Sequence, residues 1–426
     1  MFSSYSRLDL NIVVGPEKPG RIRTTLSGHL PILIDYSSRP GGSLRGVTAS
    51  ALWRMHFALG HRDRVREISF GGWVIDFLNK FISAASEHDF PALESLTLYQ
   101  PYASSRLNIP ATFLVGPDQP ELPLRRLRLF GVSLRTISEL LSSARALADL
   151  TLTIPSDDLV FHPPQESILL QCLQGMQCLR SLDLTLTTRY GFTDGETRYS
   201  IPNNDIVPLL KLTRFHYNGH TIFLNNLIPR LSAPSLQDVN FLCTRSPFLY
   251  FSRVIDNLRE EFRSVSVNFD YDYGYLRVLL SAQSRKIDHF KPSFSFNVNI
   301  SSLSAIHSTP STKLSMAEDL VLKFPSEDAA DVWEHSFPLR EFLRQFRRVR
   351  VLRVNPFPSA QELGQYLQQD GGMPIFPLLE EIELFDEVYQ RCVAEAAAAF
   401  ETFASARAGR RETTSSRSRG VKVYRP

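Results

Sequence analysis

Pro91-Ala92-Leu93-Glu94-Ser95-Leu96-Thr97-Leu98 decides the fold, because its apolar skeleton, apolar-x-x-apolar-x-apolar, returns along the chain. It returns as Leu124, Leu127, Leu129; as Leu147, Leu150, Leu152; as Leu179, Leu182, Leu184; and as Leu379, Ile382, Leu384. Apolar residues two apart lie on one side of a strand, and the polar residues between them lie on the other. Each recurrence therefore predicts a strand with one buried and one open face. The first apolar residue of the motif falls at Val65, Leu93, Leu124, Leu147, Leu179, Leu212, Leu236, Phe262, Ala317, Val349 and Leu379. One interval, Phe262 to Ala317, is long enough for two periods, and a weak motif around Ile287 to Val298 is expected inside it.

A short strand motif recurring at intervals of roughly 20–30 residues is the signature of a leucine-rich repeat. Between the strands, helical spacing recurs at Val74–Ile82, Leu134–Leu141, Ile168–Met176, Phe223–Leu231, Phe251–Phe262 and Leu339–Phe346. Strand, helix and strand in one direction give a parallel sheet with helices on its other side. The expected fold is α/β: a leucine-rich-repeat solenoid of about twelve repeats, with a curved parallel sheet on the concave side and helices on the convex side. A strand at Pro31–Tyr36 and a helix at Ser50–Leu59 precede the regular pattern. Residues 1–30 hold Gly15-Pro16-Glu17-Lys18-Pro19-Gly20 and read as a loosely ordered segment. Residues 31–386 read as the solenoid, and 387–426 as a C-terminal capping helix, a basic linker and a short final strand.

Composition narrows the function. With 47 basic and 44 acidic residues the formal net charge is +3, too balanced to imply nucleic acid or an anionic membrane surface as partner. The four cysteines, Cys172, Cys178, Cys243 and Cys392, show no Cys-x-x-Cys pairing, so neither a zinc site nor a disulfide framework is indicated. No apolar run reaches the roughly 18 residues of a membrane span, and Met1-Phe2-Ser3-Ser4 does not open a signal peptide. The expected location is cytoplasmic, with the nucleus as the alternative.

A repeat array offers partners the open face of its sheet. The alternation places Glu67 and Ser69, Ser95, Thr97 and Tyr99, Arg126, Arg128 and Phe130, Asp149 and Thr151, Ser181 and Asp183, Arg214 and His216, and Asp238 and Asn240 on that face. Their mixed charge suits a protein surface better than phosphate. A second candidate is the aromatic cluster Phe248, Tyr250, Phe251, Tyr271, Tyr273 and Tyr275. If a strand ends at Phe269, then Asp270–Tyr275 is an exposed loop whose tyrosines resemble binding hot spots; the competing reading packs them on the next repeat.

Other chemistry is thinly supported. His216 and His220 stand four apart, but the sequence puts one in a strand and a turn at Asn218-Gly219 between them, so no metal pair is expected. Asp270-Tyr271-Asp272-Tyr273-Gly274 has its glycine one place early for a calcium loop, and Ser281 stands where the twelfth-position glutamate belongs. Gly-x-Ser-x-Gly, phosphate-binding glycine loops and His-Glu-x-x-His are absent, so the chain is not read as an enzyme and no cofactor is expected. Arg407, Arg410, Arg411, Arg417 and Arg419 around Thr413-Thr414-Ser415-Ser416 read as a solvated linker, with a phosphorylation or localisation signal as the alternative.

Several stretches resemble the repeat region of fungal F-box proteins with leucine-rich repeats. They are His61-Arg62-Asp63-Arg64-Val65-Arg66-Glu67-Ile68, Phe90–Leu98, Ile109–Leu114 with Leu124–Leu129, Phe376–Ile382, Phe403–Arg407 and Val421-Lys422-Val423. The resemblance implies a substrate receptor of a cullin ubiquitin ligase, whose repeats hold a protein substrate while an F-box binds a Skp1-type adaptor. Residues 1–60 show neither the Leu-Pro-x-Glu start nor the Val-Cys-x-x-Trp-like end of an F-box. The adaptor is therefore expected only if an F-box lies upstream. A ligase-independent scaffold is the alternative.

Overall fold

The computed structural model describes residues 12–14, 31–37, 56, 59–71, 75–99, 109–110, 113–114, 122–155, 165–187, 206–244, 248–258, 262–272, 275–284, 294–299, 311–323, 341–355, 363, 367, 375–384, 396–406 and 422–424. The chain is α/β with mostly parallel strand pairing. It divides into two compact units, 1–212 with 230–233, and 213–229 with 234–426.

In the first unit β1 (Ile12–Val14), β2 (Ile32–Ser37), β3 (Val65–Gly71), β4 (Ser95–Tyr99), β5 (Arg126–Phe130), β6 (Asp149–Pro155) and β7 (Ser181–Thr187) pair in chain order, all parallel. The segment expected to be loosely ordered thus contributes a strand, β1, joined to β2 through Ile12↔Ile32. The repeated leucines share rows: Leu96, Leu127, Leu150 and Leu182 form one, and Leu98, Leu129, Leu152 and Leu184 the next. All eight are buried. A parallel sheet in register turns each repeat's leucines into a continuous apolar stripe, and burial of each such side chain contributes roughly 1.5–3 kcal/mol.

Two hydrogen-bond devices recur at the starts of strands β4 to β7. A turn closes on the motif's first apolar residue, with Leu93 donating to the Phe90 carbonyl at 3.1 Å, Leu147 to Ala144 at 3.1 Å and Leu179 to Met176 at 3.1 Å. One carbonyl then accepts two successive amides of the next strand: Glu94 O accepts from Arg125 and Arg126, Arg125 O from Ala148 and Asp149, and Ala148 O from Arg180 and Ser181. The first device buries an additional apolar residue three positions ahead of the motif, namely Phe90, Ala144 and Met176. The second satisfies the backbone where the strands meet and fixes their stagger.

Helices cover the leucine side of this unit. They are α1 (Ile75–Ala85), α2 (Leu134–Ser143) and α3 (Gln165–Gln174). In α2 Leu134, Ile137, Leu140 and Leu141 are buried, the spacing of one helix face. Phe81 of α1 meets Phe70 of β3 at a centroid distance of 4.2 Å. After β5 the chain turns at Gly131, whose φ of 75° lies in the left-handed region open to glycine without strain. The unit also holds β8 (Val207–Pro208). Of the expected helix at Ser50–Leu59 only His56 and Leu59 are described, both helical.

The second unit begins with β9 (Arg214–His220) and α4 (Thr221–Leu227). Residues 228–230 form a 3-10 turn around Pro229, after which β10 (Leu231–Ser232), back in the first unit, lies parallel to β8. The helix expected over Phe223–Leu231 therefore stops short, as a proline removes a helical amide donor. Next come β11 (Asp238–Thr244), parallel to β9, and α5 (Phe251–Asn257). Aromatics replace leucines here: Phe215 and Phe241 meet edge to face at 5.0 Å, Phe241 and Phe248 at 5.8 Å, and buried Tyr217 donates its hydroxyl to the His220 carbonyl.

The long interval after Phe262 departs from the expected weak repeat. Here β12 (Phe262–Asp272) and β13 (Tyr275–Ser284) are antiparallel, β14 (Phe294–Asn299) returns antiparallel to β13, and β14, not β12, pairs with β11. Spatial order is β11-β14-β13-β12, followed by β15 (Asp319–Lys323), β16 (Val351–Val354), β17 (Glu381–Leu384) and β18 (Lys422–Tyr424), where parallel pairing resumes. Asp256 ties the end of α5 to the segment entering β15, accepting from Ser311 Oγ at 2.7 Å, Thr312 Oγ1 at 3.1 Å and the Lys313 amide at 3.3 Å. Residues 341–343 and 396–406 are helical.

Burial also quiets two cysteines. Desolvation pushes the Cys172 thiol up to about 11, against a lowering hydrogen bond from Ser142, and pushes Cys243 up to about 12. At pH 8 both thiols then hold at least about 100-fold less of the reactive thiolate than an ordinary cysteine does. Iodoacetamide should therefore label half-buried Cys178 while sparing Cys172 and Cys243 until urea unfolds the chain. Native labelling of all three at one rate would contradict the packing. Cys392 lies outside the described residues.

Candidate functional site

The side of the sheet opposite the leucines carries the candidate site, and register decides which side chains share it. In the first unit one row runs Glu67, Ser95, Arg126, Asp149, Ser181 and the next Ser69, Thr97, Arg128, Thr151, Asp183. A third runs Gly71, Tyr99, Phe130, Thr153, Thr185. Arg126 and Arg128 are exposed, Tyr99 is 44% exposed, and Glu67, Ser69, Thr97, Phe130, Asp149, Thr151, Ser181 and Asp183 are partly exposed. Ser95 is the exception, with 6% of its surface open. It is the short member of a row between Glu67 and Arg126, whose long aliphatic stems can cover a small neighbour.

In the second unit Arg214 pairs with Asp238 and His216 with Asn240 in register. Arg214 Nε lies 3.1 Å from Asp238 Oδ2, and His216 Nε2 lies 3.4 Å from the same oxygen. Burial alone would raise the Asp238 carboxyl, but the hydrogen bond and charge of His216, with those of Arg214, outweigh it and hold the group below its ordinary 3.8. A carboxyl depressed in the fold stabilises the fold above its unfolded value and loses that contribution as pH falls through the folded value. Acid titration should thus cost the wild-type chain stability below about pH 4 that an Asp238→Asn variant has already lost. Parallel acid profiles for the two proteins would contradict the cluster.

The same face continues beyond the residues expected from the sequence. Asp319, Val321, Val351, Arg353, Glu381 and Glu383 occupy the outward rows of β15, β16 and β17, and Arg353 Nε sits 2.6 Å from Glu383 Oε2 and 3.9 Å, by Nη1, from Asp319 Oδ2. The signal is present in the motifs beginning at Ala317, Val349 and Leu379. Carrying the alternation through them finds these residues.

The aromatic candidate resolves differently. Phe248 and Phe251 are buried in the second unit and Tyr250 is partly exposed, so this part of the cluster is packing. Asp270–Tyr275 is not a loop leaving a strand that ends at Phe269. Strand β12 continues through Asp272, Tyr271 pairs with Leu276 and Asp272 with Tyr275, and Tyr273 lies outside the described residues.

His216 and His220 lie on one continuous strand, not on either side of a turn. Asn218 and Gly219 pair with Leu242 and Cys243. Four residues of strand separate the two imidazoles by about 13 Å, too far for one ion. Among the described residues no group of His, Cys, Asp or Glu is placed to hold a metal, and no helix is long and apolar enough to cross a membrane. The arginines at 407, 410, 411, 417 and 419 lie outside the described residues. No protein-family model matches the chain, and no curated protein matches it.

Proposed function

We propose that the chain is a protein-recognition module in which each unit is a stack of leucine-rich repeats, with the sheet on the concave side and helices on the convex side. A partner protein is held on the outward polar rows. The observation that carries this reading is the division of each regular strand into a buried apolar row and a polar row in register with its neighbours. Such a face changes its side chains without disturbing the core beneath, and neighbouring strands present several of them to one partner. Arginine, aspartate and two aromatic side chains interleaved on it favour polar readout of a protein surface over a phosphate backbone.

The resemblance to F-box proteins specifies the reading further: a substrate receptor of a cullin ubiquitin ligase, acting outside any catalytic step. Affinity capture from a cell extract separates this from a ligase-independent scaffold. A Skp1-type adaptor in the bound fraction supports the receptor, whereas other partners captured without adaptor support the scaffold. Failure to retain any protein would count against recognition itself.

A further inference from the structure

On the outward face of the first unit an aromatic pair lies beside two arginines whose side chains have no partner among the described residues. Tyr99 and Phe130 are paired in register, with rings 5.3 Å apart at 61°. Arg128 and Arg126 precede Phe130 by two and four residues on β5, so all three share one side of a single strand at steps of about 6.6 Å. Elsewhere comparable arginines are held by carboxylates: Arg66 by Glu94, Arg214 by Asp238, and Arg353 by Glu383. Among the described residues the side chains of Arg126 and Arg128 take no hydrogen bond or ion pair, and even Asp149, the cross-strand neighbour of Arg126, makes none with the Arg126 guanidinium.

Resting on the recognition reading above, we propose that this strip binds an extended protein segment bearing two acidic side chains and one apolar side chain at alternate positions. The geometry fits because an extended peptide repeats its own side chains on one face at the same step as β5. Each guanidinium offers a fork of donors that a carboxylate accepts bidentately. The apolar residue covers the edge-to-face pair, where Tyr99 is 44% exposed. Charge complementarity also limits the partner. Glu67, Asp149 and Asp183 stand within two strands of β5, so a peptide running along β5 meets the arginines, whereas a phosphate backbone crossing the strands meets carboxylates.

A displayed library of random dodecapeptides, panned on the full chain and followed by fluorescence anisotropy of the enriched sequences, tests this. The expected sequences hold acid-x-acid-x-apolar in either direction, and their affinity falls at least tenfold in R126S/R128S and in Tyr99→Ser at unchanged melting temperature. Absence of enrichment, enrichment without acids, or acidic peptides indifferent to R126S/R128S would overturn the proposal. So would a labelled oligouridylate that binds as tightly and is lost in the same variant. Peptides lost on Thr97→Arg yet indifferent to R126S/R128S would overturn this strip and leave the outward-face reading standing, whereas indifference to Thr97→Arg as well would count against both.

Discussion

Replacing Leu127 by alanine should destabilise the first unit by about 2–5 kcal/mol, while replacing its neighbour Arg128 by alanine should change stability by less than about 0.5 kcal/mol. Leu127 is fully buried on β5, in register with Leu96 on one side and Leu150 on the other. Truncation removes the transfer free energy of the lost atoms and leaves a cavity that rows fixed by backbone pairing close poorly. Arg128 is exposed and, among the described residues, has no ion pair to lose on truncation. Urea titrations of the two variants beside the wild type measure the difference. Equal midpoints would mean that the strand does not divide into a core side and an open side.

Removing residues 387–426 should promote aggregation relative to the full chain. The deletion takes away Ala396, Ala397 and Phe400, all buried on the helical segment 396–406, and with them β18. Strand β17 then loses the pairing Glu381↔Lys422, Ile382↔Val423 and Glu383↔Tyr424, together with the bond from the Lys422 amide to the Glu380 carbonyl at 2.9 Å. What remains is an open parallel edge beside buried Ile382 and Leu384, a template for pairing with other chains. Size-exclusion chromatography should show soluble aggregate or loss of protein. A monomeric peak with a wild-type melting curve would show that the segment covers nothing essential.

Both predictions rest on features legible before any coordinates. The strand motif places Leu96, Leu98 and their counterparts correctly because a period of two combined with leucine at fixed offsets has few other solutions in a repeating chain. The interval between Phe262 and Ala317 is where periodicity stops being enough. Alternation in Phe262–Asp272 and Tyr275–Ser284 is the same for parallel and antiparallel strands, since periodicity carries no direction. An interval of two residues between two alternating runs is the length of a tight hairpin connection, and reading a single loop over Asp270–Tyr275 passes over it.

Asn218-Gly219 misleads in the opposite sense. The dipeptide is a strong local turn signal, yet pairing of β9 with β11 through His220↔Thr244 keeps it extended, a tertiary preference that no local propensity reports. Among the site residues, alternation assigns the side of the sheet correctly but says nothing of neighbours. The burial of Ser95 and the clamp of Asp238 between Arg214 and His216 follow from register, which emerges only when the strands are laid side by side.

Recognition through the outward rows is tested most directly by one measurement: capture of the partner found by affinity isolation, compared between the wild-type chain and the double charge reversal Arg128→Glu with Asp183→Lys. Both residues belong to a single outward row of the first unit, above leucines that the substitutions leave untouched. Binding through that row predicts loss of capture at a melting temperature within a degree or two of the wild type. Capture at the wild-type level, or loss accompanied by a collapse of the melting temperature, would contradict it.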